Sequence, residues 1–63
     1  MCEATAYLLK DGREELILKD VDVIEPDGDS VRIVNIFGEQ KVLKAEIHSL
    51  NLITHKVLLV EKV

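Results

Sequence analysis

Short runs of alternating apolar and polar residues cover most of this sequence, and each run ends at residues that favour a turn. The run over residues 2–9 leads into Asp11-Gly12, a pair typical of two-residue hairpin turns. A second run, residues 14–25, keeps a period of two until Lys19-Asp20, where the phase slips and predicts a β-bulge. That run ends at Pro-Asp-Gly-Asp, residues 26–29, which is the strongest turn signal in the chain.

The third run, residues 30–37, is apolar on both faces, which is typical of a strand that lies centrally in a sheet or at an interface. Residues 38–40 then form a turn. Residues 43–50 place apolar side chains at helical spacing, and we predict at most one short helical turn there. The remaining residues, up to 60, are typical of strand, turn and strand. Five short antiparallel strands separated by four turns predict an all-β fold, either a small barrel or a two-layer sandwich.

The length of 63 residues limits the protein to one domain, residues 1–63, with a thin hydrophobic core. A domain of this size usually needs a covalent staple, a metal or a second subunit for stability. The single cysteine excludes a disulfide within the chain. No apolar run approaches the roughly 18 residues of a membrane span. We therefore expect a partner subunit and no membrane association.

The charge balance argues against nucleic acid as a partner. Twelve acidic residues against eight basic ones give a net charge of −4, the wrong sign for a protein that neutralises phosphates. The lysines and arginines are spread singly along the chain rather than clustered. The sequence begins without the basic and apolar regions of a secretory signal, and its one thiol suits a reducing compartment. We therefore expect a cytoplasmic protein.

The sequence contains no motif of a known enzyme class. Glycine-rich phosphate loops, paired-cysteine metal spacings and recognisable catalytic triads are all missing from it. A chain this short also leaves little room for a pocket of roughly 300 Å³ or more, unless two subunits build one together. We therefore expect a protein that is not an enzyme.

Several residue types that can carry chemistry have ordinary structural interpretations here. His48 and His55 could bind a metal, but we expect structural roles for both, His55 in a hairpin turn. The acidic residues between positions 20 and 29 lack the spacing of a calcium loop and are interpreted as a solvated rim. Tyr7 and Phe37, the only aromatic residues, are expected to pack in the core.

Cys2 is the one candidate metal ligand that its position singles out. A cysteine directly after the initiating Met1 can combine its thiolate with a nearby amine or deprotonated amide on a single ion. A mixed nitrogen and sulfur donor set favours a late divalent metal such as Ni(II) or Cu(II) in square-planar geometry. One chain alone cannot saturate that ion, but two copies across a dimer axis would double the donors.

The whole chain resembles a known family of small β proteins. The shared features are the start Met1-Cys2-Glu3-Ala4, the Asp11-Gly12 turn, the Asp20-Val21 step before Pro26-Asp27-Gly28, the strand Val31-Arg32-Ile33 leading to Phe37, and the closing hairpin from Leu50-Asn51-Leu52 to Val57-Leu58-Leu59. With these features the chain looks like the CooT family of small nickel-binding accessory proteins linked to maturation of carbon monoxide dehydrogenase. The most specific of them is the Met-Cys start.

The resemblance implies a homodimer of five-stranded SH3-like barrels that binds one Ni(II) between its subunits through Cys2. It assigns no ligand role to His48 or His55. It further implies a carrier, buffer or insertion factor for carbon monoxide dehydrogenase or another nickel enzyme, acting with that enzyme or its maturation machinery. Two alternatives stay open at this point: a small RNA-binding barrel, suggested by fold analogy, and a metal-independent protein interaction module.

Overall fold

The structure, a computed structural model, describes residues 3–62, which form six β-strands and no helix. Alternation of apolar and polar residues between turn signals is what makes these segments strands. Their bounds are β1 (Ala4–Lys10), β2 (Arg13–Asp27), β3 (Ser30–Asn35), β4 (Gln40–Leu43), β5 (Ala45–Asn51) and β6 (Lys56–Glu61). The predicted all-β class is confirmed, with six strands in place of five.

One sheet contains all six strands, in the order β4-β3-β2-β1-β6-β5. Four of the five pairings are antiparallel, but β1 and β6 pair in parallel from Thr5–Lys56 to Leu9–Val60. The prediction of purely antiparallel strands was therefore wrong for this one pair. The sheet curls until β3 and β5 approach each other, so the architecture is barrel-like, as predicted.

The stretch at residues 43–50 accounts for the extra strand. A single bend at Lys44 separates β4 from β5, and residues 45–50 are extended rather than helical. Apolar residues at helical spacing occur in this strand because β5 carries a bulge. The bulge shifts the register of β5 against β6 between Ile47 and Ser49. Tertiary pairing with β6 therefore overrides the short helical pattern.

The predicted bulge in the second run is confirmed and bends β2, which is 15 residues long. Between the pairs Ala4–Val21 and Ala6–Leu18, β2 carries one more residue than β1. Asp20 takes a left-handed conformation there, with φ 56°, and its carbonyl oxygen accepts a hydrogen bond from Ile36 N at 2.9 Å. The bend lets one strand pair with β1 along its first half and with β3 along its second, which curls the sheet.

The core is small and lies on the concave side of the curled sheet. Its eight buried apolar residues are Ala6, Leu18, Val21, Val31, Ile33, Ala45, Val57 and Leu59. Alternate residues of β3 and β6 are buried, as the period-two pattern requires. Among residues 3–62, Asn35 is the one buried polar residue.

The β3–β4 turn holds its shape through the side chain of Asn35. The Asn35 Oδ1 atom accepts hydrogen bonds from Phe37 N (3.0 Å) and Glu39 N (2.9 Å), and its Nδ2 donates to Glu39 Oε1 (2.7 Å). This turn places Phe37 outward with 72% of its surface exposed. The expectation that Phe37 packs in the core was wrong, because β3 ends at Asn35 and Phe37 belongs to the turn.

Candidate functional site

Cys2, the predicted metal ligand, lies outside the described residues. The structure does fix where the chain that follows it enters the sheet. Ala4 pairs with Val21 of β2, and Thr5 N donates a hydrogen bond to the carbonyl oxygen of His55 at 2.8 Å. The first strand therefore begins at the end of the sheet where the β5–β6 turn, residues 52–55, also lies.

The two histidines occupy different places in the fold. His55 lies in the β5–β6 turn, as predicted, with a left-handed backbone (φ 56°) and an exposed side chain. His48 is the extra residue of the β5 bulge and is also exposed. Within residues 3–62, no three His, Cys, Asp or Glu side chains are grouped so that they could hold a metal ion. The described residues therefore provide no complete metal site of their own.

The acidic residues of β2 and the following turn are spread over the surface. Glu25 pairs with Arg32, and Asp29 lies 3.6 Å from Lys62 Nζ, while Asp22 and Asp27 are exposed. These carboxylates are solvated or paired with single cations. This arrangement agrees with the solvated rim expected from the sequence.

An open apolar groove of about 360 Å³ lies beside the start of β1. It is lined by Ala4, Val21, Asp22, Ile24, Leu50, Asn51, Leu52, His55 and Val57. The expectation that one chain of this length has little room for a pocket of roughly 300 Å³ was wrong in volume, although the groove is open rather than enclosed. The curled sheet leaves a gap between β2 and the β5–β6 turn, and no further element of residues 3–62 fills it.

The β5–β6 turn forms an apolar protrusion at the rim of this groove. Asn51 Oδ1 accepts hydrogen bonds from Ile53 N (2.9 Å) and Thr54 N (3.1 Å), which fixes the turn from within. Leu52 and Ile53 are 77% and 89% exposed there. These two residues are not among the candidates that the sequence suggests. The sequence feature that could have identified them is a pair of large apolar residues in a turn, directly after an asparagine.

A second concavity, about 390 Å³, lies on the other side of His55 and is more polar. Lys56 forms an ion pair with Glu14 there, and its Nζ atom lies 5.1 Å from the centroid of the Tyr7 ring. Tyr7 is half-buried, so its predicted place in the core is only partly correct. Lys56 of β6 thus contacts Glu14 of β2 and Tyr7 of β1, and these contacts join the last strand to the first hairpin.

The part of the chain that the structure describes contains no helix long and apolar enough to cross a membrane.

Two of the three comparisons with known proteins name the same family. The family described as "CO dehydrogenase accessory protein CooT" matches residues 1–60. An uncharacterized protein of Methanocaldococcus jannaschii is 30% identical over 59 residues, which cover 94% of this chain and 96% of that protein. The crystal structure of a protein assigned as CooT from Carboxydothermus hydrogenoformans superposes with a TM-score of 0.91 at 40% identity. That match covers 98% of this chain and 100% of the other. The chain therefore belongs to the CooT family of CO dehydrogenase accessory proteins.

Proposed function

We propose that this protein is a cytoplasmic, non-enzymatic accessory protein that binds Ni(II) through Cys2 at the interface of a homodimer. In this proposal nickel is cargo, carried, buffered or inserted for CO dehydrogenase or another nickel enzyme. The observation that carries the proposal is Cys2 directly after Met1 in a chain whose family match begins at residue 1. The family supports the accessory role, and the thiolate supports the choice of metal.

The donor chemistry requires more than one chain. A Cys2 thiolate and a neighbouring backbone nitrogen supply two of the four donors of a square-planar ion. Two further donors are needed, and in this proposal they come from a second chain. A second copy would supply the same two donors again, and a two-fold axis through the metal would make the four donors equivalent in pairs.

Chain connectivity limits how far Cys2 can lie from the start of β1. Two residues of chain span at most about 7 Å between Cα atoms, so Cys2 is tethered within that distance of Ala4. Ala4 lines the apolar groove, and the hydrogen bond from Thr5 N to the His55 carbonyl oxygen joins β1 to the β5–β6 turn. Two copies that meet through this end of the sheet would bring their Cys2 residues toward each other.

The test is a Ni(II) titration of tag-free protein, because an added segment before Met1 would mask the donors. We expect a thiolate-to-nickel charge-transfer band that saturates at one ion per two chains, and native mass spectrometry should show the same stoichiometry. Cys2→Ala should abolish the band, and Cys2→Ser is the matched variant that keeps the size and polarity of the side chain. Unchanged nickel binding by Cys2→Ala would refute the proposal.

A metal-independent protein interaction module is the second candidate, and the exposed Leu52 and Ile53 favour it specifically. It predicts that binding of the CO dehydrogenase maturation machinery is the same for wild type and Cys2→Ala, with or without Ni(II). The nickel proposal predicts that this binding responds to the metal only in the wild type. A salt-dependent shift of single-stranded RNA at micromolar protein would instead support the RNA-binding alternative, against the net charge of −4.

A further inference from the structure

β3 has apolar residues on both faces, and only one of those faces lies in the core. Val31 and Ile33 are buried, so Val34, one position further, lies on the outer face of the sheet, where it is half-buried. A strand that is apolar on both faces is typically covered on both sides or lies at an interface. Residues 3–62 form one sheet and no helix, so no second layer of the described chain covers this outer face.

The neighbouring strands extend this outer face of β3 into a patch. Val23 of β2 is the register partner of Val34, which brings their Cβ atoms to about 5 Å from each other. Val42 of β4 is the diagonal neighbour of Val34, at about 7–8 Å, and is 59% exposed. The turn that follows β3 exposes Ile36 (41%) and Phe37 (72%) beside them. We call these five residues the outer patch.

Phe37 is presented by a turn that is already fixed. Asn35 Oδ1 accepts hydrogen bonds from Phe37 N at 3.0 Å and Glu39 N at 2.9 Å. On the other side of the turn, Ile36 N donates to the Asp20 carbonyl oxygen at 2.9 Å. Aromatic side chains often dominate interface energies, and a fixed turn loses little conformational entropy on docking. Phe37 therefore has the properties of an anchor in a protein interface.

Three carboxylates lie around the outer patch. Asp20 is beside the turn through its bond to Ile36 N, and Glu39 belongs to the turn itself, where its side chain accepts from Asn35 Nδ2. Asp22 is exposed and is the extra residue of a second bulge in β2, directly before Val23. These three residues give the outer patch an acidic rim.

The nearby cations do not neutralise this rim. Arg32 lies on the outer face but forms an ion pair with Glu25. Lys41 is the register partner of the buried Ile33, so it belongs to the other face of the sheet. Among the described residues this leaves Lys19, next to Asp20 in sequence, as the cation beside the rim. A complementary partner surface is therefore apolar at its centre and carries lysine or arginine around it.

We propose that the outer patch docks on an apolar, lysine- or arginine-flanked surface of CO dehydrogenase, with Phe37 as the central anchor. The family description, an accessory protein of that enzyme, supplies the partner, so the inference rests on the proposed function in this respect. It needs neither Cys2 nor Ni(II). The outer patch also lies on the opposite side of β2 from the groove, since Ile24 lines the groove and packs against the core while Val23 faces outward. Docking here therefore leaves the groove unused.

The experiment measures binding of wild type, Phe37→Ala and Val42→Ala to immobilised, purified, nickel-free CO dehydrogenase of the same organism by biolayer interferometry. Because a central aromatic anchor carries much of the binding energy, we expect the Kd to rise at least roughly 30-fold for Phe37→Ala and about fivefold for Val42→Ala. Leu16→Ala is the matched control, since Leu16 is 53% exposed in the half of β2 that pairs with β1. Its Kd should stay within about twofold of wild type.

Two substitutions of opposite sign test the charge of the partner. Asp20→Asn removes a carboxylate and tolerates the left-handed backbone at φ 56°, while Lys19→Gln removes the neighbouring cation. For a basic partner surface, Asp20→Asn should lower the association rate constant and Lys19→Gln should raise it, each by roughly twofold at about 50 mM salt. Both differences should shrink at about 500 mM salt. Reversed signs, or a change in the same direction for both variants, would contradict a basic partner.

Three results would overturn the docking surface. They are no binding of the wild type to the enzyme, a Kd of Phe37→Ala within about twofold of wild type, and a changed oligomeric state of Phe37→Ala in sedimentation equilibrium. The last result would assign the outer patch to a contact between copies of the chain. All substituted positions of the affinity series are exposed, and far-ultraviolet circular dichroism verifies that each variant is folded.

The nickel titration separates this inference from the proposed function. If Phe37→Ala binds Ni(II) as the wild type does but loses the enzyme, and Cys2→Ala does the reverse, both proposals hold. If the wild type binds no Ni(II) and Phe37→Ala still loses the enzyme, the docking surface stands and the nickel function falls. If Ni(II) binds through Cys2 while the wild type does not bind the enzyme, the nickel function stands and the docking surface is wrong.

Discussion

Removal of the Asn35 side chain should destabilise the protein far more than a typical change near a surface turn. Asn35 is 5% exposed and makes three side-chain hydrogen bonds, two from backbone N–H groups and one to Glu39 Oε1. A hydrogen bond contributes about 0.5–1.5 kcal/mol net, and the freed N–H groups lie in an exposed turn where water can replace part of the loss. We therefore expect Asn35→Ala to lower the free energy of unfolding by about 2–3 kcal/mol.

Urea unfolding followed by far-ultraviolet circular dichroism measures this loss, since the chain has no tryptophan. With a slope near 1 kcal/mol per molar urea, the midpoint should fall by roughly 2–3 M. Protein concentration must be equal in all samples, because a dimer couples stability to concentration. The expected loss is a large share of the roughly 3–9 kcal/mol typical of a domain this size.

Two further variants separate the hydrogen bonds from simple loss of volume. Glu39→Gln keeps an acceptor for Asn35 Nδ2 and should cost less than about 1 kcal/mol. Asn35→Asp keeps the acceptor for both backbone N–H groups but sets a second carboxylate against Glu39, so it should cost at least as much as Asn35→Ala. If Asn35→Ala falls within about 0.5 kcal/mol of wild type, the turn does not depend on these bonds and the reasoning fails.

Three more predictions concern the core, a turn and a surface ion pair. Leu59 is fully buried, so Leu59→Ala should cost about 2–5 kcal/mol in urea unfolding, against less than about 1 kcal/mol for Leu16→Ala at a 53% exposed position. Gly12 has φ 76°, and Gly12→Ala should lower stability by about 1 kcal/mol; no loss would contradict the strained turn. Glu14→Gln removes the partly exposed pair with Lys56 and should cost less than about 1 kcal/mol, a difference that shrinks in high salt.

Local features of this fold are predictable from the sequence because neighbouring residues determine them. Asp11-Gly12 forms the first turn with φ 52° and 76°, since both conformations are accessible to that pair. The slip of phase at Lys19-Asp20 marks a real bulge, because an extra residue must shift the apolar alternation that follows it. Both signals are contained in a few adjacent positions.

Features that depend on distant partners are not predictable in the same way. The parallel pairing of β1 with β6 joins residues about fifty positions apart, and no local pattern specifies its direction. The break at Lys44 is a single bend without glycine or proline, so β4 and β5 look continuous in sequence. Phe37 suits a core position by composition, but it lies in a turn that the hydrogen bonds of Asn35 help to hold.

The candidate site also has one part that the sequence predicts and another that depends on distant partners. Cys2 stands out in the sequence because its position, rather than its surroundings, gives it chemical meaning. The groove is assembled from β1, β2, β5, β6 and a turn, so it exists only once the sheet has curled. In the sequence, Leu52 and Ile53 look like ordinary strand residues. In the structure they lie in a turn that the side chain of Asn51 holds through hydrogen bonds.

The parallel β1–β6 ladder also has a consequence for when the site can form. Thr5 and Lys56 are register partners, and every pairing of this ladder joins the first strand to the last. Contacts of such long separation form late in folding, because a long loop must close before they can stabilise anything. The end of the sheet where β1 begins is therefore assembled only after β6 has been synthesised and has docked. We therefore expect any metal bound through Cys2, as proposed above, to be taken up by the folded chain.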